Sequence, residues 1–254
     1  SYFYLFSVQR LGLTLLRGKM KTECQPLVSI VVPCRNEKLY IKRCIESIVS
    51  SSYPQDKIEI IVVDGISEDG TRELAEELAD KYSFVRVLNN EKKILASGWN
   101  MGIENSKGDI IITANAHAEI EKEHIKKCIS YMNQYKADCV GPVLITHPQD
   151  TGIIGEAIAA VMSHPFGVGN STFRIGANKP NFVDTLHLGA YKREIFEKIG
   201  MYNEDLVRSQ DIEMHRRLHY AGFNMLLVPD IKGHYYTRSN RISTETFNFN
   251  KTKR

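Results

Sequence analysis

Three short polar clusters each follow an apolar, β-branched run, and their side chains are the ones in this chain that could do chemistry. Arg35-Asn36-Glu37 follows Val28-Ser-Ile-Val-Val-Pro33; Asp64 follows Ile58-Glu-Ile-Ile-Val-Val63; Asn115-Ala116-His117 follows Ile110-Ile-Ile-Thr113. A carboxylate at a strand end, such as Asp64, can accept a charge-assisted hydrogen bond from a ligand, or it can cap the turn that Gly65 begins. Glu37 and Asp69 can equally be acidic residues favoured in a helix's first turn. His117 is a competent ligand for transition metals and a poor one for Mg²⁺, while Asn115 hydrogen-bonds without contributing charge. Farther along, Asp211 could pair with His215 at i+4, as Glu213 could with Arg217. His234 is a further candidate imidazole, and Arg174 a cation in a polar stretch. No GxxxxGK[ST] is present and no GxGxxG follows an apolar run, which argues against Walker-type and dinucleotide sites.

The elements that must position these groups follow from periodicity. The three runs read as buried parallel strands, with further strands at 85–88 and, broken around Gly141-Pro142, at 139–145. Ile41, Cys44, Ile45, Ile48 and Val49 mark one helix face; Thr71, Leu74, Ala75, Leu78, Ala79 and Tyr82 mark another. Helices are also expected at 94–105, around Ile125 to Met132, at 151–162 and at 209–221, with a strand at 225–228. Alternating strands and helices predict an α/β domain with a mostly parallel sheet covered on both faces. Residues 164–184, rich in Gly, Asn, Ser and Pro, read as a long irregular stretch, of the kind that is usually either a functional lid or disordered.

With 254 residues, 43% hydrophobic and 25% charged, the chain can bury one large core and has no disordered composition. A net charge of +3 without a concentrated basic stripe gives nucleic acid binding no support. Five cysteines, odd in number and without a CxxC, fit reduced buried thiols better than a disulfide framework. The apolar residues of 1–16 are interrupted by Gln9 and Arg10, too soon for a bilayer span; an upstream extension or a segment lying on a membrane both remain open. The expected division is an N-terminal extension at 1–26, a catalytic domain at 27–240 and a polar tail at 241–254.

The order of motifs resembles the family 2 glycosyltransferases. The resemblance runs from Val28 to Ser239: the segment from Val28 through Pro33 to Glu37, Asp64-Gly65 with Asp69-Gly-Thr71, Asn100-Met-Gly102, Lys107-Gly-Asp109, Leu188-Gly-Ala190, Gly200 and Gln210-Asp211-Ile-Glu213. Asn115-Ala-His117, Pro165-Phe-Gly-Val-Gly169 and the residues before Asp211 look most like the succinoglycan-type exopolysaccharide glucosyltransferases. The resemblance implies a GT-A fold and inverting transfer from a UDP-sugar to a saccharide or lipid-linked saccharide, in the cytoplasm at the inner face of the membrane. It places Pro33, Arg35, Glu37, Asp64, Asn100, Asn115 and Arg174 around the donor, with Asp64 on the uracil imide and Asp211 as base. It also implies Mn²⁺ or Mg²⁺ held at an Asp-x-Asp motif, which here reads Asn115-Ala-His117 and leaves Asn115 and His117 as the metal candidates. Two rival readings stand beside it: a catalytically weak nucleotide-sugar-binding module, suggested by Asn115, and a nucleotidyltransferase, which would want a basic, Gly-rich first loop.

Overall fold

The computed structural model describes residues 25–149, 152–169, 171–206 and 208–237. The expected extension, apart from its last two residues, and the expected polar tail lie outside them, as does Cys24. β1 (Val28–Cys34), β2 (Ile58–Asp64), β3 (Val85–Asn89) and β4 (Ile110–Thr113) form the parallel half of the sheet, in the order β3-β2-β1-β4. Alternate side chains divide between two cores. Val28, Ile30, Val32, Ile58, Ile60 and Val62 face one, whereas Val31, Ile61 and Val63 face the other. α1 (Ile41–Val49), α2 (Thr71–Lys81) and α4 (His124–Tyr135) cover the first face, and α3 (Leu95–Glu104) covers the second.

The approach of α3 to the sheet is unusually close. A methyl group on Gly102 would lie 2.2 Å from a Val31 Cγ, and one on Gly98 would lie 2.9 Å from Pro33 Cβ. Two glycines one helical turn apart therefore let the helix backbone settle onto β1.

Beyond β4 the sheet is mixed rather than parallel. β8 (Ala190–Lys192) runs antiparallel between β4 and β6 (Cys139–His147), and β9 (Met225–Tyr236) runs parallel to β6. β5 (Ala118–Ile120) and β7 (Asn181–Phe182) pair antiparallel with the two ends of β9. β6 is one continuous strand; Pro142 is tolerated because the register with β9 shifts between Pro142 and Val143. β9 is much longer than its four-residue apolar start implies, since pairing with β6 carries it past Pro229. β5, β7 and β8 are too short for their two-residue period to be read in a sequence.

The stretch at 164–184 contains the short helices α6 (Pro165–Val168) and α7 (Thr172–Ile175), packed after α5 (Ile153–Met162). α8 (Arg193–Ile199) and α9 (Gln210–Tyr220) complete the second face through Ile195, Phe196, Met214 and Leu218. Among the described residues, Cys34, Cys44, Cys128 and Cys139 are free and buried, and no helix is long and apolar enough to cross a membrane.

Gly102→Ala should lower stability by roughly 1–3 kcal/mol through overpacking against Val31. A urea midpoint equal to that of the parent would show that α3 can lift from β1 at no cost.

Candidate donor and transfer site

The site begins where β1 and β4 stop pairing. Their ladder ends at Val31↔Thr113, closed by the Ala114 N–H donating to Val31 C=O (2.9 Å). Because the C=O of Val31 faces β4, the nitrogen of Pro33, two residues on, faces the same side. Its missing N–H costs nothing there, because β4 has turned away.

After β1 the chain turns through Asn36 in the left-handed region (φ 55°), and the C=O of Glu37 accepts the first N–H groups leading into α1, from Tyr40 and Ile41. This loop is stitched to the one after β2. Asn36 N–H donates to Ser67 Oγ (2.9 Å), Glu37 N–H to Thr71 Oγ1 (2.7 Å) and Lys38 N–H to Asp69 Oδ2 (3.1 Å). Asp69 is therefore a staple between loops. Asp64 is wholly buried and accepts the Ser67 hydroxyl (2.5 Å) and N–H (3.1 Å), with Arg72 3.9 Å away. Asp64 therefore organises its turn: Oδ1 also accepts the Cys34 thiol (3.8 Å), which leaves Oδ2 the oxygen with capacity for a further donor. Arg35 is exposed and lies over Gly65, where a Cβ would come within 3.3 Å of the Arg35 Cβ.

Asn115-Ala-His117 forms a tight turn, with the Ala118 N–H donating to Asn115 C=O (3.0 Å), before β5 reverses the chain along β9. The Tyr236 N–H donates to His117 C=O (3.0 Å), and this brings the Tyr235 ring edge-on to His117 at 4.8 Å. His117 Nδ1 lies 3.3 Å from Glu37 Oε1, both side chains being buried, so the loops after β1 and β4 meet through an imidazole and a carboxylate. Asn115 Nδ2 lies 2.9 Å from His187 Nε2. His187 precedes Leu188, held at a positive φ of 50°, a strained conformation for a bulky residue that turns the chain into β8. Desolvation, with help from the Arg174 cation, lowers the His187 pKa from 6.5 to about 3. Arg174 on α7 rests over the rings of Tyr235 (4.9 Å) and Phe173 (5.5 Å), and Phe173 stacks on His187 at 5.9 Å.

The tertiary structure thus brings Glu37, Asn115, His117 and Arg174 together and adds His187, Tyr235 and Phe173, which the sequence reading missed. No local motif marks these three, and only the β5–β9 pairing and the strained turn at Leu188 deliver them. His234 belongs elsewhere, bonded to His147 at 2.9 Å. Asn100 requires a correction. Its amide is occupied by the Tyr202 N–H (2.9 Å), the Tyr202 C=O (2.9 Å) and Glu204 (3.0 Å), so it clamps the segment before α9 onto α3 rather than meeting a donor.

Asp211 lies in the first turn of α9, its Oδ1 accepting the Ile212 N–H (2.9 Å). The pairing with His215 does not form. His215 is bonded instead to Tyr191 Oη (2.8 Å) and Thr185 Oγ1 (3.1 Å), while Glu213 and Arg217 do pair at 2.6 Å. Asp211 thus keeps a partly exposed carboxylate beside the Tyr191–His215 pair.

A divalent cation can be tested against this donor set. Around Asn115 the groups are one amide and two imidazoles, and the nearby carboxylate, Glu37, is turned to His117. Among the described residues no three His, Cys, Asp or Glu side chains converge as a metal cluster. Mg²⁺ demands oxygens in near-ideal octahedral geometry, and Mn²⁺ also prefers oxygen donors. These residues do not make a site for either.

Residues 29–200 match the family described as Glycosyl transferase family 2. The chain belongs to that family. It is 30% identical over 218 residues to a dolichyl N-acetyl-alpha-D-glucosaminyl phosphate 3-beta-D-2,3-diacetamido-2,3-dideoxy-beta-D-glucuronosyltransferase of Methanococcus voltae, covering 84% of this chain and 67% of that one. It is 28% identical to the succinoglycan biosynthesis protein ExoA of Rhizobium meliloti, over 83% of this chain and 63% of the relative. The fold matches that of a mannosyltransferase from Pyrobaculum calidifontis, solved with GDP-Man and Mn²⁺, at a TM-score of 0.65, 19% identity, and coverage of 85% and 59%. This chain therefore spans about three fifths to two thirds of the proteins it resembles. The mixed sheet with helices on both faces is a GT-A fold, and the domain is that of a glycosyltransferase.

His215 sets an acid limit on stability. Its burial lowers the folded pKa to about 4, against 6.5 when exposed, so the unfolded chain binds a proton that the folded site refuses. This contribution is complete above about pH 6.5 and is lost as pH falls toward 4. Urea midpoints should fall over that window, and His215→Gln should flatten part of the decline. An equally steep decline in the variant would place the titration elsewhere.

Proposed function

We propose that this domain transfers a sugar, with inversion, from a UDP-sugar to a hydroxyl of a saccharide or lipid-linked saccharide during surface polysaccharide or glycan synthesis. The observation that carries the reading is the convergence, in a family 2 domain, of the loops after β1, β2 and β4 at the split between β1 and β4. In an open α/β sheet that is where a ligand crevice forms. Asp64 and the Arg35 loop would receive the base and ribose, and Arg174 with Asn115 the diphosphate. The acceptor would enter beside Asp211, near the segment carrying α6 and α7.

In one in-line displacement the acceptor oxygen bonds to the anomeric carbon as the bond from that carbon to the diphosphate oxygen breaks. The acceptor proton passes to Asp211, and the electron pair leaves with the diphosphate, whose growing charge Arg174 can offset. The ligands at Asn115 and His117 suit neither Mn²⁺ nor Mg²⁺, so the charge on the leaving diphosphate falls to Arg174. Buried thiols fit a reducing, cytoplasmic setting. Exposed Ile153, Val161 and Phe166 on α5 and α6 suit contact with the inner face of a membrane or with a lipid-linked acceptor.

Asn115 favours the second reading, a nucleotide-sugar-binding module with little turnover. Hydrolysis or transfer assays across UDP-, GDP- and dTDP-sugars separate the two, because binding without any turnover would leave only the module. For the enzyme, Asp211→Asn should cut turnover by about two to four decades with UDP affinity intact. Near-normal turnover would make Asp211 merely a first-turn carboxylate. Asp64→Ala should weaken UDP binding by roughly 1.5–3 kcal/mol, the scale of a hydrogen bond to a charged group. Unchanged calorimetric affinity in a folded variant would remove Asp64 from the site.

A further inference from the structure

We infer that this site holds the donor diphosphate without a divalent cation, Arg174 and Asn115 serving where a metal ion would otherwise sit. The inference rests on the donor-site reading above and deepens it.

Charge is the first argument. Arg174 Nη1 is buried and has no hydrogen-bond partner among the described residues, and its guanidinium carbon lies 4.9 Å from the centre of the Tyr235 ring and 5.5 Å from that of Phe173. A cationic donor removed from water without an acceptor is costly, and an anion entering the pocket relieves that cost. The planar guanidinium matches a phosphate oxygen pair, and each such charge-assisted bond is about twice as strong as a neutral one.

Ligand chemistry is the second. A metal bridging a diphosphate needs anionic oxygen ligands from the protein, and position 115 offers an amide. The nearby carboxylate, Glu37, is oriented toward His117. A divalent ion placed here would also face the fixed positive charge of Arg174, a repulsion that is large in a partly dry pocket. The Asn115 amide, by contrast, can donate an N–H to a phosphate oxygen and adds no negative charge to repel it.

Rigidity is the third. Phe173 packs against both hydrophobic cores, which fixes α7, and its ring stacks on His187. Arg174 is therefore presented from an anchored turn, and its contacts with Tyr235 and Phe173 reduce the side-chain freedom to be lost on binding.

The test is calorimetric titration with UDP in EDTA and in Mn²⁺, with uridine as the probe lacking phosphate. UDP affinity in the two buffers should agree within about threefold. Arg174→Gln, which keeps most of the side-chain stem, should weaken UDP at least about tenfold and leave uridine unchanged, and Arg174→Lys should recover part of the loss. Asn115→Asp should weaken UDP in EDTA and make its binding respond to Mn²⁺. UDP binding at least about tenfold tighter in Mn²⁺ than in EDTA would overturn the inference while leaving the donor site standing. Undiminished UDP affinity in folded Arg174→Gln would also overturn it. If UDP, GDP and dTDP all fail to bind in either buffer, the donor-site reading falls and this inference with it.

Discussion

The parting of β1 from β4 after Val31 and Thr113 is the constraint from which the site follows. Up to that pair the two strands satisfy one another's main-chain groups. Beyond it β1 bends into the loop that begins α1, and β4 turns sharply at Asn115 toward β5. The gap lies at the carboxyl ends of the parallel strands, and every polar side chain near it is there because a strand has just ended. Pro33 and Asn36 mark the divergence in covalent terms, one lacking an N–H, the other adopting a positive φ. The Glu37–His117 contact then ties the two departing loops across the gap, so its width is set by a buried polar pair.

A gap of this kind keeps its shape only if the layers beneath it are stiff. Glycines at 98 and 102 bring α3 against β1, and Asn100 on the same helix clamps the main chain at Tyr202. The segment that leads into α9, and so to Asp211, is thereby tied to the helix that packs under β1. Placement of the proposed base and of the proposed donor site is coupled through α3, with no direct contact between them required.

The electrostatics of the pocket are set by burial more than by the number of charged groups. Around Asn115 the imidazoles and aromatic rings of His117, His187, Tyr235 and Phe173 exclude water, and burial holds His187 neutral. Arg174 is then a positive charge beside the neutral ring of His187. A positive charge held among such rings would attract an anion, which is the basis of the proposed diphosphate site.

Much of the framework was legible in the residues. The β-branched runs at β1, β2 and β4, the i, i+4 faces of α1 and α2, and the polar clusters at strand ends all report local physics, because propensity and periodicity act over a few neighbours. β5 and β8 were not legible: three residues carry no period, and each strand exists only because β9, or β4 with β6, supplies its hydrogen bonds. For the same reason Asn100 read as a donor-site residue and proved to be a clamp, since its partner lies 102 positions away. His187 and Tyr235 escaped notice because neither has a local signature, and Phe173 and Arg174 lay in a stretch that read as loop. By itself the sequence determined which residue types stand at the ends of the parallel strands, and therefore that a polar crevice must open there. Which of those residues touch one another was decided only by the tertiary structure, because the groups that complete the pocket come from chain segments joined by long-range strand pairing and packing.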